Sequence, residues 1–391
     1  MRRHDLDWLR VFVFGLLIFY HVGMFFVPWG YHIKNNVEYE WLQFPMLFLN
    51  QWRLPILFVI SGMGTYYALN KRTGLQFGLE RIKRLFLPLV VGMLVIVPPQ
   101  VYIERIAYDQ FIGSYFDFWP SKAFIGVYPE GNLSWHHLWF LPYLLLFSLA
   151  LLPVFLYLRK NPENRFISRL KKLVSNRLGL FWFLIPLYLY ESLLEPFFNV
   201  THALIGDWFA IANYATLFLY GFLLISVKEQ FWLTVTQYRR FYLRCGLIGF
   251  TLFLSLILIF EDSIWVHFTE ASLKVFNLWS WILALFGYAA HYLNKQSRIL
   301  AYSNEAVYPF YILHQTITIV AGYFIMNLSW GLLPKFLILS IATFGGSFLI
   351  YELFIRRWKW IRPLFGLKLK KVNFSPPKQT DGSAAKVDPS F

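Results

Sequence analysis

Long apolar runs separated by short polar blocks dominate the chain. A helix needs about 20 residues to cross the hydrocarbon of a bilayer. Ten runs reach or approach that length, at residues 8–28, 43–69, 85–103, 136–158, 179–198, 208–226, 245–261, 275–293, 303–326 and 334–355. The pattern predicts an all-α, polytopic membrane protein of about ten transmembrane helices. The first run does not read as a cleavable signal, because it is long, carries Arg10 and His21, and lacks a small-residue cleavage site after its apolar core. No connection is long enough for a second folded domain, so residues 1–360 are expected to form one membrane domain. Residues 361–391 are expected to form a basic cytoplasmic tail, disordered from Val372 onward where Ser, Pro, Gly and Lys predominate. The longest connection, residues 104–135, reads as a short lid or an interfacial helix.

Charge sets the expected orientation. Ten spans leave both termini on one side, and cytoplasmic loops hold the excess of Lys and Arg. Segments on the N-terminal side, counted to Lys371, hold 27 Lys and Arg against five on the other side, which are Lys34, Arg105, Lys122, Lys274 and Lys335. Both termini are therefore expected in the cytoplasm. The composition, 58% hydrophobic and 21% aromatic, agrees with burial in lipid. Because the charges fall in blocks between spans, the net charge of +15 is a topology signal, and no nucleic-acid partner is implied. Cys245 is the single cysteine, which excludes an internal disulfide or a cysteine zinc site.

Polar groups inside the spans are costly against lipid and need a reason. His21 follows Arg10 by eleven residues, about three turns, so Asp7, Arg10, Phe14, Leu17 and His21 share one face of the first helix. By depth, His314 in "YSNEAVYPFYILHQ", Arg53 in "FLNQWRLPILFVISG" and Glu191 in "LYLYESLLEPFF" fall in nearly the same layer as His21. Four such groups imply an internal polar cavity lined by all of them. Each also has a plainer reading. Arg10 would snorkel to headgroups, the histidines would be packing residues, and Arg53 would pair with Glu191 or another acid. Glu305, near the start of its run, is a candidate partner for Arg10. His136 and His137 open the fourth run beside Trp135 and Trp139. Neighbouring helical residues point about 100° apart, which makes the pair a poor metal site, and no metal is expected. An outer rim of Trp, Tyr and His suits either an interfacial belt or a sugar. A P-loop, GxSxG, HExxH and CxxC are all absent, which argues against an ATP-driven pump, a conventional serine hydrolase and a zinc protease.

The Arg-to-His spacing in the first run resembles the integral-membrane acyltransferase 3 superfamily. Four further stretches resemble it too: "PILFVISGMGTYYAL", "ERIKRLFLPLVVG", "HHLWFLPYLLLFSL" and "YPFYILHQTI". Together they are most similar to the branch that succinylates osmoregulated periplasmic glucans. The resemblance implies a bacterial inner-membrane enzyme that passes an acyl group from acyl-CoA, succinyl-CoA in that branch, to a hydroxyl of an extracytoplasmic glycan. Homo-oligomers or partner proteins of glucan synthesis are compatible with it. The family's residues fall on Arg10, His21, Arg81, Arg84 and His314. In that chemistry His21 serves as base or nucleophile and His314 as its partner. Arg81 and Arg84, with Arg10 above them, would meet the phosphates of CoA, or else serve only the positive-inside rule. Arg53 would hold the free carboxylate of a succinyl group, while Glu191, His136, His137 and Trp139 would face the acceptor. The competing class is a transporter or flippase for a saccharide or lipid-linked sugar. Such carriers often show two related halves, and the Arg-to-His stripe is not repeated in the second half.

Overall fold

The computed structural model describes residues 3–369. The remainder of the expected tail, with its anticipated disorder, lies outside the described residues. Every apolar run is helical, and no strand occurs among the described residues beyond one isolated bridge, Val127 to Leu133. Seven helices are long and apolar enough to cross a membrane, or eight if the pair His136–Ala150 and Leu152–Lys160, bent by 47°, is one span.

Two of the ten expected spans, the fifth and the ninth, are not among these eight. The fifth is built from short pieces: a 3-10 turn at Gly179–Phe183, the helix Leu184–Leu193, and a second 3-10 turn at Glu195–Phe197. Pro186 and Pro196 lie in this run, and a proline at an interior position removes a backbone donor. The ninth is a continuous helix, Arg298–Ile325, of 28 residues. It fails as an apolar span because it carries Asn304, Glu305, His314 and Gln315, and it buries His314 and Gln315 against other helices.

The first helix, His4–Met24, is the hub. It packs on Gln43–Leu69, Ile264–Tyr292, Arg298–Ile325 and Leu332–Ile350. Asp5 and Asp7 in its first turn suit the positive end of the helix dipole. Helices Gln43–Leu69 and Trp208–Ser226 approach closely at glycines. A Cβ on Gly62 would lie 1.9 Å from the Phe218 carbonyl oxygen, and one on Gly221 1.9 Å from that of Val59. Small residues give close backbone contact where lipid offers no hydrophobic drive between helices.

The third span, Gly74–Ala107, starts at a capping box in which Thr73 accepts from Gln76 and the Gln76 side chain bonds back. Two π turns widen it, Ile82–Phe86 and Gly92–Ile96. A π turn frees a carbonyl from the helix ladder. Here the Ile96 carbonyl accepts the Thr316 hydroxyl at 2.7 Å, tying this helix to the one that carries His314. Residues 361–369, grouped with the tail on sequence, are seated against the bundle. Arg362 and Phe365 are buried, and Arg362 pairs with Glu305 at 3.2 Å.

Candidate active site

A histidine pair joins the first helix to the helix Arg298–Ile325. His314 Nδ1 lies 2.7 Å from the Tyr311 carbonyl oxygen, so Nδ1 carries the proton and Nε2 presents a lone pair. That Nε2 is 3.0 Å from His21 Nδ1, which also lies 3.0 Å from the Leu17 carbonyl oxygen. Both neighbours of His21 Nδ1 are acceptors, so the hydrogen-bond network assigns the proton to that nitrogen. His21 Nε2 is left as the basic atom, with no hydrogen-bond partner among the described residues. A third imidazole completes the group. The His137 ring lies 5.1 Å from that of His314, donates from Nε2 to the Ile312 carbonyl at 3.0 Å, and accepts at Nδ1 from Gln100 at 3.4 Å.

On one side of this pair is a polar pocket of about 420 Å³ lined by His21, Tyr20, Tyr31, His32, Glu104, Tyr128 and Gln315. His32 donates from Nδ1 to Glu104, and its Nε2 accepts from Gln315 at 3.1 Å. Tyr128, on the 104–135 connection, donates to the second Glu104 oxygen at 3.1 Å. Burial, reinforced by that carboxylate, pushes the Tyr128 phenol up to about 12, so it stays a donor at neutral pH. His136 packs edge-on against His32 and Tyr128, with ring centroids 4.4 and 4.7 Å apart.

On the other side, at the end where the first helix begins, a cavity of about 720 Å³ is strongly basic. Arg10, Arg72, Arg81, Arg84, Arg362 and Lys368 line it, against the carboxylates Asp7, Glu80 and Glu305. Arg81 donates to the Thr65 hydroxyl at 3.0 Å, Arg10 to Asn304 at 3.2 Å, and Arg84 to the Gly366 carbonyl at 3.3 Å. Phe14 and Phe140 form the wall nearest the histidines. Both rings pack on Tyr311, at 5.6 and 6.3 Å, and Tyr311 in turn lies 6.1 Å from His314.

Arg53 is buried, 4% exposed, and does not meet Glu191. Its guanidinium sits 3.2 Å from the Tyr20 ring centroid, reaches Asn50 at 3.4 Å, and leaves Nε without a partner. Glu191 instead pairs with Lys274 at 3.4 Å, because the Ile264–Tyr292 helix brings that lysine alongside. Glu305 is likewise held by Arg362 and by the Tyr351 hydroxyl at 2.9 Å rather than by Arg10. Trp139 is 8% exposed and stacks on His202 at 3.8 Å, so it belongs to the interior and not to a lipid belt.

The fold and site together are those of a membrane-embedded enzyme with an imidazole pair between two polar chambers. Residues 3–352 match the acyltransferase 3 family, described as an acyltransferase domain, and the chain belongs to that family: it is a membrane acyltransferase. It is similar to proteins named glucans biosynthesis protein C from Salmonella paratyphi A, Salmonella agona and Salmonella dublin. Each is 24% identical over 403 aligned positions that cover 98% of both chains. No solved structure matches the chain.

Of the residues singled out on sequence, His21 and His314 touch, and His137 joins them. Arg10, Arg81 and Arg84 share one cavity. Sequence reasoning passed over His32, Glu104 and Tyr128, because they sit just beyond the expected span ends where polar residues are ordinary, and it passed over Gln315, which lies inside the ninth run beside His314. It read Arg72 as a topology signal and Arg362 as tail, and nothing local distinguished either from its basic neighbours.

Proposed function

We propose that this acyltransferase takes an acyl group from cytoplasmic acyl-CoA and esterifies a hydroxyl of an extracytoplasmic glycan. A glucan is the acceptor class to which the printed name of the relatives points. The observation that carries the reading is the His21–His314 pair standing between a basic cavity and a polar, tyrosine-lined pocket. Ten membrane crossings, with the fifth and ninth runs included, put both termini and the basic cavity in the cytoplasm of a bacterial inner membrane. The excess of Lys and Arg on that side supports the orientation. Reporter fusions after Tyr67 and Leu367 should read inside, and one near Glu130 outside; an external C-terminus would defeat the model.

In this reading the phosphates of CoA lie among Arg10, Arg81 and Arg84, and the thioester reaches up to His21. The acceptor hydroxyl enters from the outer pocket and gives its proton to His21 Nε2 as its oxygen attacks the thioester carbonyl. The C–S bond then breaks, and the departing thiolate takes the proton from His21. His314 positions His21 by accepting from Nδ1, which keeps the basic nitrogen on the acceptor side.

A succinyl group is the proposed cargo because Arg53 is a buried cation whose hydrogen-bonding capacity is unfilled, and a free carboxylate would satisfy it. The test is release of free CoA by purified protein given succinyl-CoA and a glucan. Release should require both substrates and vanish in His21→Gln, which cannot take up a proton near neutral pH. Full turnover by a folded His21→Gln enzyme would overturn the assignment. Arg53→Met should erase the preference for succinyl-CoA over acetyl-CoA; if that preference survives, Arg53 is structural.

A further inference from the structure

A second basic cavity, of about 1070 Å³, adjoins the first and shares with it Asp7, Arg10, Gly64, Ala68, Arg72 and Lys368. Beyond that common wall its charged and aromatic lining includes Arg3, Lys71, Lys228 and Trp232, with Glu229 as the one added carboxylate. We propose that this chamber holds the 3′-phosphoadenosine end of the donor, so that CoA lies bent across the two cavities. The inference rests on the acyl-CoA reading above and deepens it.

Length is the first support. Arg10 and His21 are eleven residues apart on one helix, about 16 Å along its axis. An extended phosphopantetheine arm has the same reach. With the thioester at His21, the pyrophosphate therefore falls at the level of Arg10, and the ribose, 3′-phosphate and adenine must lie beyond it. The second chamber opens at that level, since Arg10 and Arg72 belong to both.

Charge is the second. Arg10 and Arg72 on the shared wall suit the pyrophosphate, while Lys71 and Lys228 stand only in the second cavity, where a phosphomonoester would arrive. Both lysines are exposed and make no ion pair among the described residues, whereas Arg72 is held by Glu80 and Arg3 by Asp5. The same chamber has an aromatic wall residue, Trp232. Trp232 is 9% exposed, its indole N–H has no hydrogen-bond partner, and the Arg3 guanidinium covers its ring at 3.7 Å. A planar cation on a tryptophan face occupies the kind of surface that a purine stacks on.

The experiment measures binding of CoA and of dephospho-CoA, which lacks only the 3′-phosphate, to the full chain in lipid nanodiscs by calorimetry. Wild type should bind CoA about tenfold more tightly than dephospho-CoA, the value of one charge-assisted contact. The double variant Lys71→Ala with Lys228→Ala should lose that difference while its affinity for dephospho-CoA stays within about twofold. Because both lysines are exposed, folding is not at stake. Equal affinities for the two ligands in wild type, or a double variant that keeps the preference, would overturn the subsite and leave the acyl-CoA reading standing. Failure of wild type to bind CoA at all would overturn both.

Discussion

Replacing His314 tests whether it positions His21 or carries the proton itself. In His314→Leu the side chain is of similar volume, so packing at this fully buried position is little disturbed. What disappears is the acceptor at 3.0 Å from His21 Nδ1. One neutral hydrogen bond contributes about 1 kcal/mol net, which corresponds to roughly a fivefold change in the balance between the two His21 tautomers. The Leu17 carbonyl, also at 3.0 Å from Nδ1, remains as an acceptor, so the loss is bounded. The expected result is a fall in kcat of up to about fivefold with KM for the acyl donor nearly unchanged, since the site proposed for the donor's phosphates lies about three turns away. His314→Gln can present its amide oxygen to His21 and should recover to within about threefold of wild type. Turnover is read as CoA thiol release and folding as the melting temperature in detergent. Wild-type turnover in His314→Leu would make His314 a packing residue. A loss of a thousandfold or more in both variants would mean that it moves the proton, and the positioning role would be refuted.

Three further expectations follow from other parts of the molecule. Arg81→Ala with Arg84→Ala should weaken acyl-CoA binding by about tenfold or more, an effect that shrinks as salt is raised; unchanged affinity would reduce the pair to a topology signal. Gly221→Val should lower the melting temperature sharply, because overpacking costs about 1–3 kcal/mol and its Cβ would meet the Val59 carbonyl oxygen at 1.9 Å. A melting temperature like that of wild type would show that the helix contact can relax. Burial depresses His202 from 6.5 to about 4, partly opposed by Asp207. The unfolded chain then binds more protons between those values, so stability from this residue is complete above 6.5 and falls as pH drops toward 4. In His202→Phe, which keeps the stack on Trp139, that part of the pH slope should vanish; an unaltered slope would assign it to other groups.

What the sequence by itself determined was local and periodic. A run of about 20 apolar residues can only be a helix in lipid, because every backbone group must be bonded within the segment. The 3.6-residue period placed Asp7, Arg10, Phe14 and His21 on one face, and in the structure the first three line the basic cavity while His21 lines the polar pocket with Tyr20 and His32. That a buried charge or imidazole needs a partner was legible; which partner it takes was not. His21 meets His314 across 293 positions of sequence, and Glu191 takes Lys274 instead of Arg53. Depth along a helix follows from counting residues, but azimuth between helices follows from packing. Gly62 and Gly221 set one such approach, and the Ile96 carbonyl freed by a π turn sets another. Tertiary structure also brought His32 to Glu104 and laid Arg362 against Glu305, because the segments that follow the first and last spans fold back onto the bundle. No periodicity records that return. The contacts are made by backbone geometry at the helix ends and by complementary charge, and both act only once the bundle has formed.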